Sequence, residues 1–286
     1  MTISSLYKSL CELLNDNKIE DSALEVRYII EHILDISYSE FLLKGNDEIS
    51  PENADKAEMM ALHRITGEPL QYIIGQWDFM GYTFKVGKGV LIPRPETEIL
   101  CEYICEKIKN IPSPVVYDLC SGSGCIGISI KKLCPNAKVT LIEKSDEALL
   151  YLRENCKNLC SGNEPSIIQG DILSFDDFDF LPDADVIVSN PPYIRSREIP
   201  FLQKEVQHEP IMALDGGEDG LMFYRSLVDS WSSKLKADGF MAFECGEDQS
   251  EDIMELFEKI NFDSKTINDY NNIQRIVVGR RKNHVI

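Results

Sequence analysis

Val115-Val116-Tyr117-Asp118-Leu119 runs directly into Cys120-Ser121-Gly122-Ser123-Gly124-Cys125-Ile126-Gly127. Apart from Asp118, the first five residues are apolar and rich in β-formers, as a buried strand requires. The next stretch satisfies G-x-G-x-x-G, a tight turn whose bare backbone can approach a nucleotide. A helix is expected from Ile128. Working outward, the rhythm repeats. Lys138-Val139-Thr140-Leu141-Ile142-Glu143 reads as a second strand, with its acid at the carboxyl end. Ser166-Ile167-Ile168-Gln169-Gly170-Asp171 reads as a third, and Asp185-Val186-Ile187-Val188 as a fourth. A helix over 222–235 follows. Asp238-Gly239 then turns into a fifth strand, Phe240-Met241-Ala242-Phe243-Glu244. Thr266-Ile267 and Arg275-Ile276-Val277-Val278-Gly279 pair as a final hairpin. Strand and helix alternating in this way imply a parallel sheet covered on both faces.

The fourth strand ends in Ser189-Asn190-Pro191-Pro192-Tyr193. Two prolines cannot donate to a ladder, so the strand must stop there. A polar Asn is thus placed at the carboxyl end of a buried strand, where open α/β sheets bind ligands. The Asn190 side-chain oxygen and the Pro191 carbonyl are two acceptors on a stiff backbone. Together they can grip both N–H bonds of one planar NH2 group. Tyr193 offers an aromatic face. The bland alternative is a strand-ending turn with a surface tyrosine.

The chain has 286 residues, 43% of them hydrophobic, and a net charge of −19. A full core is possible, and wholesale disorder is not expected. A protein that holds a nucleic-acid backbone normally shows a basic face, and so acidic a chain would need a strong local exception. Nine cysteines include no zinc-like Cys-x-x-Cys pair. Free thiols in a reducing cytoplasm are their simplest account. His32, His63, His208 and His284 form no ligand spacing, so no metal is expected. No apolar run reaches the roughly 18 residues of a membrane span. The first residues lack the features of a targeting peptide.

Residues 1–75 read as a small helical domain. Leu6, Leu10, Leu13 and Leu14 recur at helical spacing. Asp21 is placed to cap a second helix carrying Leu24, Ile29, Ile30, Ile33 and Leu34. Ser50-Pro51-Glu52 reads as cap, first-turn proline and early acid of a helix with Met59, Met60 and Leu62, ending near Thr66-Gly67. Residues 76–93 read as a β-hairpin linker. Pro95, Glu96 and Glu98 suit the first turn of the next helix. Arg94, fixed between two prolines, is harder to explain by packing and suggests a site rim. Glu209 and Glu244 read as polar supports, structural before functional.

The glycine loop with Glu143 about twenty residues on also fits a nicotinamide dehydrogenase. Four features favour S-adenosylmethionine: Asp118 on the strand before the loop, Asp171-Ile172 after the third strand, the Asn190 clamp beside the first strand, and the antiparallel hairpin at the end. A non-catalytic module of the same fold is a third possibility, against which the intact loop and clamp argue.

Residues 116–124 resemble motif I of class I methyltransferases, although Cys120 stands where glycine is frequent. Asn190-Pro191-Pro192-Tyr193 is similar to the motif that methylates planar nitrogens in adenine and in glutamine. The flanks choose between these. Gly67-Glu68-Pro69-Leu70-Gln71-Tyr72-Ile73-Ile74-Gly75, Ile92-Pro93-Arg94-Pro95-Glu96-Thr97-Glu98, Glu209-Pro210 to Ala213-Leu214, and Asp269-Tyr270 to Arg275-Ile276-Val277 all resemble HemK-type glutamine methyltransferases of peptide chain release factors. The resemblance implies a Rossmann-like α/β sheet of seven strands, the last antiparallel, over 94–286. It implies an amino-terminal helical domain, 1–75, that docks the release factor. S-adenosylmethionine would be held by Asp118, Cys120, Ser121, Gly122, Ser123, Gly124, Glu143, Asp171, Ile172 and Asn190, leaving S-adenosylhomocysteine. Asn190, Pro191, Pro192 and Tyr193, with Arg94 at the rim, would hold the glutamine of a Gly-Gly-Gln tip in a class I release factor. A cytoplasmic monomer without direct nucleic-acid or membrane partners is expected. The alternative is an amino-group methyltransferase acting on adenine in nucleic acid.

Overall fold

The computed structural model describes residues 1–282, so His284 lies outside the described residues. The chain forms two compact units, Met1–Gln76 with Gln203–His208, and Trp77–Leu202 with Glu209 onward. The first unit is built from α1 (Ile3–Asp16), α2 (Ser22–Leu34), α3 (Tyr38–Leu43), α4 (Pro51–Ile65) and α5 (Leu70–Ile74). Its core holds Leu6, Leu10, Leu14, Val26, Ile29 and Ile30. Ser50 caps α4 by accepting from the Asn53 amide, and Pro51 opens the helix.

Two local expectations fail in this unit. Asp21 adopts a left-handed conformation (φ 54°) and makes no side-chain cap to α2. The buried stripe of α4 is Ala57, Ala61 and Arg64, whereas Met59 and Leu62 are exposed. Small residues let helices approach closely. Buried Arg64 donates to both Glu25 oxygens and to Glu205, so its charge is paired within the unit.

The second unit opens with a hairpin, β1 (Gln76–Phe79) and β2 (Tyr82–Lys85), followed by α6 (Pro95–Ile108). Then come β3 (Val115–Leu119), α7 (Cys125–Leu133), β4 (Lys138–Glu143), α8 (Asp146–Cys160), β5 (Ser166–Gln169) and β6 (Ala184–Ser189). Short α9 (Lys204–Gln207) belongs to the first unit, and α10 (Ile211–Leu214) and α11 (Met222–Asp229) follow. The chain ends in β7 (Leu235–Glu244), α12 (Ser250–Lys259), β8 (Phe262–Asn268) and β9 (Gln274–Arg281). Seven strands form one sheet in the order β5-β4-β3-β6-β7-β9-β8. β3 to β7 are parallel, and β9 runs antiparallel between β7 and β8.

Alternate residues of each strand feed two cores. Val116, Val186 and Val188 meet α6, α7 and α8 on one face. Tyr117, Ile187 and Phe243 meet α11 and α12 on the other. α7 begins at Cys125, not Ile128. Gly127 therefore sits in its first turn, where a Cβ would come within 2.1 Å of Leu141 and 2.9 Å of Asp118. The helix expected over 222–235 stops at Asp229, and a 3-10 turn, Trp231–Lys234, leads into β7. Asp238-Gly239 lies inside β7 rather than before it, at a register shift against β6. Among the described residues, no helix is long and apolar enough to cross a membrane.

Candidate functional site: a cavity at the carboxyl ends of four strands

Each loop that leaves the carboxyl end of β3, β4, β5 or β6 turns into one cavity, as an open parallel sheet dictates. After β3 come Cys120, Ser121, Gly122 and Ser123; after β4, Glu143, Lys144 and Ser145; after β5, Gly170, Asp171 and Ile172; after β6, Asn190 and Pro192. Arg94 and Thr97 close one side, and Met212 and Phe223 another. Together these residues line one concave site with an open mouth, the kind of place where small ligands bind.

The glycine loop is held from beneath. Cys120 and Gly122 both have left-handed backbone (φ 60° and 55°). A Cβ on Gly122 would meet only Val90, at 3.9 Å, so its backbone lies open to a ligand. Glu143 takes the Gly122 amide at 2.8 Å through one oxygen and the Ser145 amide at 2.7 Å through the other. Asp118 accepts from the Gly127 amide at 2.9 Å, while its second oxygen is buried without a partner. Asn155 on α8 donates to the carbonyls of Ser123 and Lys85, tying the loop to the hairpin. Across the cavity, Lys144 pairs with Asp171 at 2.7 Å. The Ile172 carbonyl accepts from Trp231 at 2.9 Å, which leaves the Ile172 side chain to the cavity wall.

Asn190 follows β6 directly. Its Nδ2 donates to Glu244 Oε1 at 2.9 Å and to Thr97 Oγ1 at 3.4 Å. Thr97 in turn donates to Glu244 Oε2 at 2.6 Å. Asn190 Oδ1 is buried and, among the described residues, has no hydrogen-bond partner. Buried acceptors are almost always paired, so an orphan on a residue that lines the cavity points to a ligand donor. The loop beyond is fixed by Gln249, which donates to the carbonyls of Tyr193 and Gly220. Arg94 is held by a charged hydrogen bond to buried Glu209, which also accepts from the Ile92 amide.

Most sequence-derived site residues thus line one cavity. Asp118, Gly124, Pro191 and Tyr193 do not. Asp118 lies beneath the loop, Gly124 caps α7, and the Tyr193 ring packs against the second core. Thr97 and Asn155 escaped sequence reasoning. Thr97 passes for an ordinary first-turn residue of α6, and Asn155 for a polar position of an amphipathic helix.

Burial pushes two carboxyls, Asp118 and Glu244, up to about 7. Both ordinarily titrate near 4, so between pH 4 and 7 the folded state retains protons that the unfolded chain releases. That stabilisation is complete below the unfolded values and is lost as pH rises through 7. Each group contributes at most about 1.4 kcal/mol per pH unit. Denaturant unfolding at pH 5 and pH 8 should show a smaller difference for Asp118→Asn than for the wild type. Equal differences would assign the titration elsewhere.

The strand order, the open glycine loop and the cavity define a class I methyltransferase. Comparisons agree. Residues 5–75 match the family model of the PrmC N-terminal domain, and residues 95–214 match the methyltransferase small domain. A release factor glutamine methyltransferase of Thermodesulfovibrio yellowstonii is 37% identical over 92% of this chain and 94% of its own. Its counterpart in Clostridium acetobutylicum is 36% identical over 96% and 95%. A methyltransferase structure from Pyrococcus furiosus shares the fold with a TM-score of 0.51 at 19% identity, over 70% of this chain and 89% of that one. The chain belongs to the family of release factor glutamine methyltransferases, S-adenosylmethionine-dependent enzymes that methylate protein glutamine.

Proposed function

We propose that this protein transfers a methyl group from S-adenosylmethionine to the side-chain nitrogen of the glutamine in a Gly-Gly-Gln segment of class I release factors, and so acts in translation termination. The observation that carries this reading is the unpaired Asn190 Oδ1 beside the cavity. The cavity's donor set suits the methyl donor. Open backbone at Gly122 can take its amino-acid part, Glu143 retains lone pairs for ribose hydroxyls, and Ile142, Ile172 and Phe223 supply apolar walls for a base. When bound, S-adenosylmethionine supplies an electrophilic methyl carbon. The residue roles that follow are part of the proposal.

Asn190 Oδ1 accepts one N–H bond of the substrate amide; the Pro191 carbonyl, on backbone between two lining residues although Pro191 itself does not line the cavity, accepts the other. An amide nitrogen is a poor nucleophile because its lone pair is conjugated. Acceptors on its N–H bonds favour the positive charge that develops there, and they aim the nitrogen along the transfer axis. Catalysis is then positioning and electrostatics. Arg94, locked by Glu209, lines the entrance, and the amino-terminal helices dock the body of the release factor. Two substrates test the reading with labelled S-adenosylmethionine: a class I release factor, and its variant with alanine in place of the Gly-Gly-Gln glutamine. Label on the first alone, recovered as N-methylglutamine, is expected. Equal labelling of both would overturn the assignment of the acceptor.

A further inference from the structure

We propose that Glu244 is a positioning residue that decides which end of the Asn190 carboxamide faces the cavity, with Thr97 holding the carboxylate in place. The inference rests on Asn190 as acceptor for the substrate NH2 group. A carboxamide is nearly two-fold symmetric in shape but not in chemistry. Turned over, it would present donors to a donor, and neither side would be paired. Asn190 therefore needs a neighbour that can only accept.

Glu244 is that neighbour. It ends β7, and the parallel register that sets Ser189 against Phe243 brings the next residue on each strand together. Its Oε1 takes Asn190 Nδ2 at 2.9 Å, and its Oε2 takes the Thr97 hydroxyl at 2.6 Å. The Tyr224 hydroxyl fixes the Glu244 carbonyl at 2.7 Å. Glu244 is 3% exposed, so water does not compete for these contacts.

The groups around the carboxyl are few. Arg94, Glu96 and Thr97 face it from the start of α6, and Arg275 from β9. Tyr193, Tyr224 and Cys245, with Cys101 of α6 and Cys125 at the start of α7, are the other titratable groups that sense it. Desolvation dominates and pushes the group up to about 7; Thr97 and the two arginines oppose that, and Glu96 adds to it. A proton on Oε1 would set donor against donor at Asn190 Nδ2. The carboxamide then turns over to give Oδ1 to Glu244, and the acceptor leaves the cavity. A proton on Oε2, given to Thr97 Oγ1, leaves Oε1 as acceptor, so only protonation at Oε1 turns the carboxamide over.

The side-chain amide resonance of Asn190, identified by its loss in Asn190→Ala, reads this directly. In the full-length protein without substrate it should shift with a midpoint near pH 7. In Glu244→Gln, which can offer Oε1 to Asn190 at every pH, that shift should vanish. Kinetically, Glu244→Leu should lower kcat about 100-fold, with less than about a threefold change in KM. Glu244→Gln, which keeps an acceptor toward Asn190, should keep kcat within about tenfold. An Asn190 resonance that titrates with the same midpoint in Glu244→Gln as in the wild type would overturn the proposal. So would wild-type kcat in Glu244→Leu. If the Leu variant does not fold, the resonance and the Gln variant decide. A wild type that titrates as expected but labels no release factor supports the positioning role and sinks only the substrate assignment.

Discussion

Asn190→Ala should lower kcat by about three orders of magnitude and change S-adenosylmethionine affinity by only a few-fold. Removing one oriented hydrogen-bonding group from a preorganised site costs about 10²–10³ in rate. Here the loss is compounded, because in the proposed mechanism Asn190 also aligns the substrate amide. Glu244 and Thr97 would remain in place but would orient nothing. The proposed cofactor walls, Glu143, Ile172 and the glycine loop, follow other strands and should not be disturbed. Asn190→Asp should be nearly as damaging, since it sets a second carboxylate against buried Glu244. Single-turnover rates and calorimetric binding separate the two quantities. Turnover within tenfold of wild type in Asn190→Ala would remove this residue from the chemistry.

Trp231→Ala should cost about 3–5 kcal/mol of stability, the range for truncating a buried aromatic. Trp231 is fully buried and meets the rings of Tyr117, Phe175 and Phe178. No nearby flexible side chain can refill the space, because these partners are themselves rings held by the sheet and its flanking turns. The melting temperature should fall by roughly 10 °C. The variant should also bind S-adenosylmethionine about tenfold more weakly, since Trp231 donates to the Ile172 carbonyl and so sets the cavity wall. Trp231→Phe separates the effects: most of the packing survives while the N–H is lost. It should keep most of the stability and show much of the affinity loss. Unchanged affinity in both variants would show that Ile172 is positioned by its own loop.

Much of this was legible locally. Alternating strands and helices, glycines in a strand-to-helix turn, and two prolines after a buried strand are short-range patterns. Each is enforced by backbone sterics within a few residues. They sufficed for the sheet, for the loop at 120–124 and for Asn190 at the end of a strand. Local reading failed where a competing contact chose the conformation. Asp21 has the right chemistry for a cap but lies in a left-handed turn. Met59 and Leu62 are apolar, yet α4 turns its alanines inward and buries Arg64 against Glu25.

The remaining features depend on residues far apart in the chain. Thr97 meets Glu244 across 147 positions, and Ile172 meets Trp231 across 59. No spacing rule links them, because it is the order of strands that brings them together. The same holds for ionisation. Asp118 and Glu244 are ordinary acids as letters, and only burial in the assembled sheet moves them toward 7. Backbone preferences are local energies and can be read from the letters. Which end of a carboxamide faces a ligand is set by neighbours that only folding supplies.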